Sequence, residues 1–84
     1  MITKHTRPTD PWEALAYAIV DRAVTDYRYT LRQVVRKPTL DTTRRRHELE
    51  RFFRSFWFEA LTDMDGSEMM ERVRRQVGLN ADEA

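Results

Sequence analysis

Six side chains in this chain of 84 residues have types and spacings that could hold an anionic ligand: Tyr27, Arg28, Arg32, Arg54, Ser55 and Trp57. Arg28 and Arg32 stand four apart, so on a helix two guanidinium forks can converge on one phosphate or carboxylate. Ser55 is a competent helix cap beside Arg54, which would bring backbone N–H groups and a guanidinium to one small anion site. Tyr27 and Trp57 offer rings on which a base could stack. The plainer roles of the same residues are intrahelical pairing for the arginines, with Asp21 near Arg28 and Arg22 on Asp26, and simple capping for Ser55.

These residues must be positioned by helices, because no strand pattern is present. Asp10-Pro11-Trp12-Glu13 combines a capping acid, a proline suited to the first helical position and a capping-box pattern. Trp12, Leu15, Ala16, Ile19, Ala23, Tyr27, Leu31 and Val34 or Val35 follow at steps of three and four, predicting a helix that runs to Arg36. Pro38 ends it, since Lys37 is pushed out of the α region. A short link with Asp41, Thr42 or Thr43 as cap leads to a second, antiparallel helix. Arg44, Arg45 and Arg46 open that helix, where the macrodipole disfavours positive charge.

The richest core material is ERFFRSFWFEALTDMDG, residues 50–66. Leu49, Phe52, Phe53 and Phe56 share one helical face, but at about 100° per residue Trp57 and Phe58 do not. The spacing therefore predicts a break at Ser55 and a short helix from Phe56 to about Thr62. Asp65-Gly66-Ser67-Glu68 caps a last helix through Met69, Met70, Val73 and Val77, with Gly78 as its C′ residue. The expected fold is all-α: a long N-terminal helix in a hairpin with a second helix, then a short helix and a C-terminal helix. Residues 10–79 are expected to form one domain, between an arm at 1–9 and a tail at 80–84 that are expected to be flexible.

Composition limits what such a domain can be. It has no cysteine, so disulfides cannot support so small a core. The first helix would be roughly 39 Å long, more than a globule of this size can cover. Its uncovered apolar stripe makes a homo-oligomer the expected state. The net charge is only +1, yet residues 37–54 carry six basic against three acidic groups, and residues 55–84 three against seven. Thirteen of the fifteen basic residues are Arg, the side chain suited to bidentate phosphate contact.

The run from Ala14 to Val20 is too short to span a membrane, and the opening MITKHTRPTD lacks the apolar stretch of a signal peptide. A cytoplasmic protein is expected. His47 has no second ligand at helical spacing, and Asp63-Met64-Asp65-Gly66 fails as a calcium loop because Leu61 and Arg72 would fall at ligand positions. No catalytic motif is present, so neither an enzyme nor a cofactor is expected.

Ala18-Ile19-Val20 with Ala23-Val24 and Asp26-Tyr27-Arg28, then Phe52-Phe53-Arg54-Ser55, Trp57-Phe58, Leu61-Thr62 and Asp65-Gly66, resemble a family of short helical proteins of Firmicutes phages and prophages. The resemblance covers about Ala18 to Arg75 and departs at Met69-Met70, where that family has an aliphatic pair. It implies an accessory phage protein acting in the infected cell. By analogy with small oligomeric phage proteins, it suggests sequestration of a nucleotide-derived immune signal as a counter to host defence. The alternatives are an adaptor that inhibits a host defence protein and, further off, a nucleic-acid-binding protein using Arg44 to Arg46, Arg51 and Arg54.

Overall fold

The computed structural model describes residues 10–79; the arm and tail expected at either end lie outside them. Four helices follow one another: α1 (Pro11–Arg36), α2 (Leu40–Phe53), α3 (Phe56–Leu61) and α4 (Gly66–Val77). Among the described residues there is no strand. The all-α architecture, with a long first helix, a hairpin partner, a short helix and a final helix, is the one its periodicity and caps predict.

Each boundary has a local cause. Asp10 accepts the Trp12 N–H at 3.0 Å, and Pro11 occupies the first helical position. The cap of α2 is Thr39 rather than Asp41, Thr42 or Thr43. Its hydroxyl accepts the Thr42 N–H at 3.1 Å, while Thr42 Oγ1 accepts the Thr39 N–H at 2.9 Å. The helix thus begins immediately after Pro38, and the reciprocal pair satisfies two otherwise orphaned donors. Asp65 Oδ1 accepts the N–H groups of Ser67 and Glu68 to start α4, and Gly78 ends it in the left-handed conformation at φ 98°. Only glycine adopts that conformation without penalty.

The break at Ser55 is the feature on which the chain turns. Ser55 Oγ accepts the Phe58 N–H at 3.3 Å and donates to the Phe52 carbonyl at 2.7 Å, capping α3 while holding the end of α2. The rotation sends Phe58 inward, 1 % exposed, and leaves Phe56 and Trp57 76 % and 67 % exposed. Phe56 therefore does not share the buried face with Phe53, as a straight helix would have required.

The core lies between α1 and the other three helices. Ala16, Val20, Ala23, Tyr27, Thr30 and Leu31 are the buried positions of α1, and Val20, Ala23, Tyr27 and Leu31 of these cluster with Phe53, Phe58, Met70 and Val73. Ring centroids of Tyr27–Phe53, Phe53–Phe58 and Phe52–Phe58 lie 5.3, 5.4 and 5.8 Å apart, within the range of favourable aromatic contacts. The expected stripe was correct at Ala16, Ala23, Tyr27 and Leu31. Trp12, Leu15 and Ile19 remain 53 %, 53 % and 37 % exposed, the uncovered part of the stripe that the length of α1 predicts, because α2 is 14 residues against 26 in α1 and cannot cover its first turns.

Gly66 allows a close helix approach. A Cβ there would lie 1.8 Å from the Phe53 carbonyl oxygen, so the first turn of α4 sits directly on the last turn of α2. The positive end of one helix thereby meets the negative end of another.

Candidate functional site

Three places could do chemistry or bind. The first is a buried polar hub at Glu50. Its Oε2 accepts hydrogen bonds from Tyr27 Oη at 2.7 Å, Arg46 Nε at 2.9 Å and Arg74 Nη2 at 3.2 Å. Arg54 Nη2 approaches Oε1 at 3.8 Å. Burial pushes the Glu50 carboxyl pKa up, but the bonds from Arg46, Tyr27 and Arg74 outweigh it and hold the value below the usual carboxylate range. Burial, then the bond from its hydroxyl to Glu50, raises Tyr27 to about 12. For Arg74 burial favours the neutral form, yet its negative neighbours win and the guanidinium stays charged. Glu50 Oε2 and the Tyr27 hydroxyl are engaged with each other and with Arg46 and Arg74, while Arg74 Nε is buried without a hydrogen-bond partner among the described residues, so this hub is a fastening between α1, α2 and α4.

The second place is an open polar cleft of about 520 Å³ on the far side of α2, lined by His47, Glu50, Arg51, Arg54 and Ser55. It contains two of the six residues expected to bind a ligand. The other four are elsewhere. Tyr27 is fully buried and presents no ring face to a base. Arg28 donates from Nε to Gln76 Oε1 at 3.2 Å, tying α1 to α4 instead of pairing with Asp21. Arg32 is exposed on α1, and Trp57 is exposed on α3; neither lines the cleft. Arg22 does pair with Asp26, at 3.3 Å.

The third is an apolar groove of about 370 Å³ between the first half of α1 and the α3–α4 connection. Trp12, Tyr17, Val24, Leu61, Met64 and Met69 line it, with Glu13 and Asp21 on its rim. Tyr17 is 70 % exposed and Met64 52 %. Trp57 lies one turn before Leu61 on the same face of α3, which extends the apolar surface beyond the groove. This surface was not evident from periodicity, because Tyr17 and Val24 fall outside the predicted stripe and the far wall comes from residues some forty positions away. The one available signal was an apolar arc on α1 wider than a single stripe, Val20 and Val24 beside Ala16 and Ala23.

Among the described residues, no three His, Cys, Asp or Glu side chains gather as a metal site, and no helix is long and apolar enough to cross a membrane. No protein-family model, curated protein or solved structure matches the chain.

Proposed function

We propose that the chain is a non-enzymatic protein-binding module whose apolar groove takes an amphipathic helix of another protein. The observation that carries this is the groove itself, an open trough in which Trp12 and Tyr17 stand 53 % and 70 % exposed against a wall of Leu61, Met64 and Met69. Water-exposed aromatic and methionine surface of this kind gains roughly 25 cal/mol for each Å² that a partner covers. Methionines accommodate varied partner shapes. The acidic rim of Glu13 and Asp21 favours a helix flanked by Lys or Arg. The phage-family resemblance would make such a module an anti-defence adaptor acting on a host protein.

The chain has two tryptophans, so a Trp57→Phe background leaves Trp12 as the fluorescent reporter of the groove. Titration with amphipathic helical peptides carrying basic flanks should shift its emission saturably, and Met69→Glu should abolish the shift. A flat response across such peptides counts against the reading. Leu15 and Ile19, on the uncovered flank of α1, extend the proposal to self-association. Light scattering that gives a monomer at micromolar concentration removes that part.

A second reading, sequestration of a phosphorylated nucleotide-like molecule, is favoured by the polar cleft with Arg51, Arg54 and Ser55. It no longer has Tyr27 as a stacking residue. Thermal-shift screening with cyclic di- and trinucleotides and ADP-ribose derivatives tests it, and stabilisation by none of them argues against it.

A further inference from the structure

We infer that the outward face of α2 is a binding track for the phosphodiester backbone of nucleic acid. This goes beyond the protein-binding groove, which lies on other elements, and beyond a single ligand in the cleft.

Packing divides the arginines of α2 into two sets. Arg45 reaches Asp26 at 3.7 Å and Arg46 is committed to Glu50 at 2.9 Å. Arg44, Arg51 and Arg54, with His47, point the other way. Their spacings of three, four and three residues place them in one row along about 15 Å of helix. The polar cleft at His47, Glu50, Arg51, Arg54 and Ser55 adjoins a second concavity lined by Leu40, Thr43, Arg44, His47, Glu48 and Arg51. The two share His47 and Arg51, so the concavities lie side by side along the row.

The charges in the row are weakly compensated. Arg51 has no carboxylate oxygen within 4.0 Å among the described residues. Arg44 stands 4.0 Å from a 94 % exposed Asp41. Arg54 lies 3.8 Å from Glu50, whose other oxygen already holds Arg46 and Arg74. Glu48 is the remaining acid along this row. An extended polyanion fits the geometry better than one phosphate, since the guanidinium groups are strung along the helix rather than focused on a point. Contacts of this kind carry no base specificity.

The test is fluorescence anisotropy with labelled duplex and single-stranded oligonucleotides of mixed sequence, beginning near 50 mM salt and increasing it. Binding should weaken with salt at a log–log slope near −3, about −0.9 for each of three neutralised phosphates on a duplex. Arg44→Gln/Arg51→Gln/Arg54→Gln should bind at least tenfold more weakly and lose most of the slope. Arg72→Gln, an exposed change on α4, should bind as wild type, and a helical circular dichroism spectrum checks that the triple variant is folded. No binding at the lowest salt, a slope near zero, or a folded triple variant with unchanged affinity would overturn the inference. So would saturation of the row by mononucleotides with no oligonucleotide binding.

Discussion

Tyr27 and Glu50, 23 residues apart, meet at 2.7 Å in the middle of the core, and that one hydrogen bond joins α1 to α2. The same carboxylate oxygen holds Arg46 from within α2 and Arg74 from α4, so three helices are fastened at a single atom. The side chains of Arg46 and Arg74 are each 12 % exposed and that of Glu50 9 %, which keeps solvent from screening the cluster.

Removing the acid should therefore be far more damaging than removing the phenol. Glu50→Ala leaves Arg46 and Arg74 without their counter-charge in a largely buried place, a loss of about 3–5 kcal/mol. Tyr27→Phe deletes one bond to a charged acceptor that keeps two others, costing about 1.5–3 kcal/mol. Urea unfolding of the two variants checks the order, and a Glu50→Ala domain no weaker than Tyr27→Phe would refute the fastening role.

The same pair predicts a stability plateau with two edges. The Glu50 carboxyl is depressed in the fold, so its contribution is present above the unfolded value of 4.5 and is lost as pH falls through the folded one. The Tyr27 phenol is raised from 10.0 to about 12, so its contribution is complete below 10.0 and is lost as pH rises through about 12. Melting temperatures across pH should fall at both ends. Tyr27→Phe should flatten the alkaline edge, and an unchanged alkaline slope in that variant would rule out the assignment.

Gly66 is required by contact rather than by backbone conformation, since a Cβ would fall 1.8 Å from the Phe53 carbonyl oxygen. Gly66→Ala must push α4 away from α2 and should destabilise by about 3 kcal/mol. Gly78→Ala has open space around its Cβ but a φ of 98°, so its cost is the smaller left-handed penalty of about 1 kcal/mol. Equal losses in the two variants would contradict the packing account.

Thr30 is 2 % exposed and its Oγ1 has no hydrogen-bond partner among the described residues. A buried hydroxyl without a partner costs free energy that a methyl does not. Thr30→Val should stabilise the domain by about 1 kcal/mol, raising the urea midpoint with an unchanged slope. A lower midpoint would mean that the hydroxyl is bonded in solution.

Phe58 and Trp57 are neighbours with opposite surroundings, 1 % and 67 % exposed. Phe58→Ala should cost about 3–5 kcal/mol and Trp57→Ala within about 0.5 kcal/mol. Chemical denaturation of both distinguishes them directly. A strongly destabilising Trp57→Ala would show that Trp57 is covered in solution, as self-association would do.

The helices of this protein were determined by the sequence acting locally. Asp10-Pro11, Pro38, Ser55, Asp65-Gly66 and Gly78 each set a boundary through hydrogen bonds or steric limits that reach no further than four residues. Such signals can be read without knowing what lies alongside. Even there, Thr39 displaced the expected caps because its partner Thr42 sits three residues on and completes a reciprocal bond.

Which faces turned inward was decided only by tertiary structure. Tyr27, a candidate for stacking on a base, is sealed in the core, where Glu50 arrives from the next helix to accept its hydroxyl hydrogen bond. Arg28 is drawn to Gln76, 48 residues away. At the Ser55 break, the local signal specified that the chain turns but not by how much, and the packing of Phe58 against Phe52 and Phe53 set the rotation that leaves Trp57 outside. Caps depend on neighbours in the chain. Burial depends on neighbours in space, and those are chosen by the packing of all four helices at once.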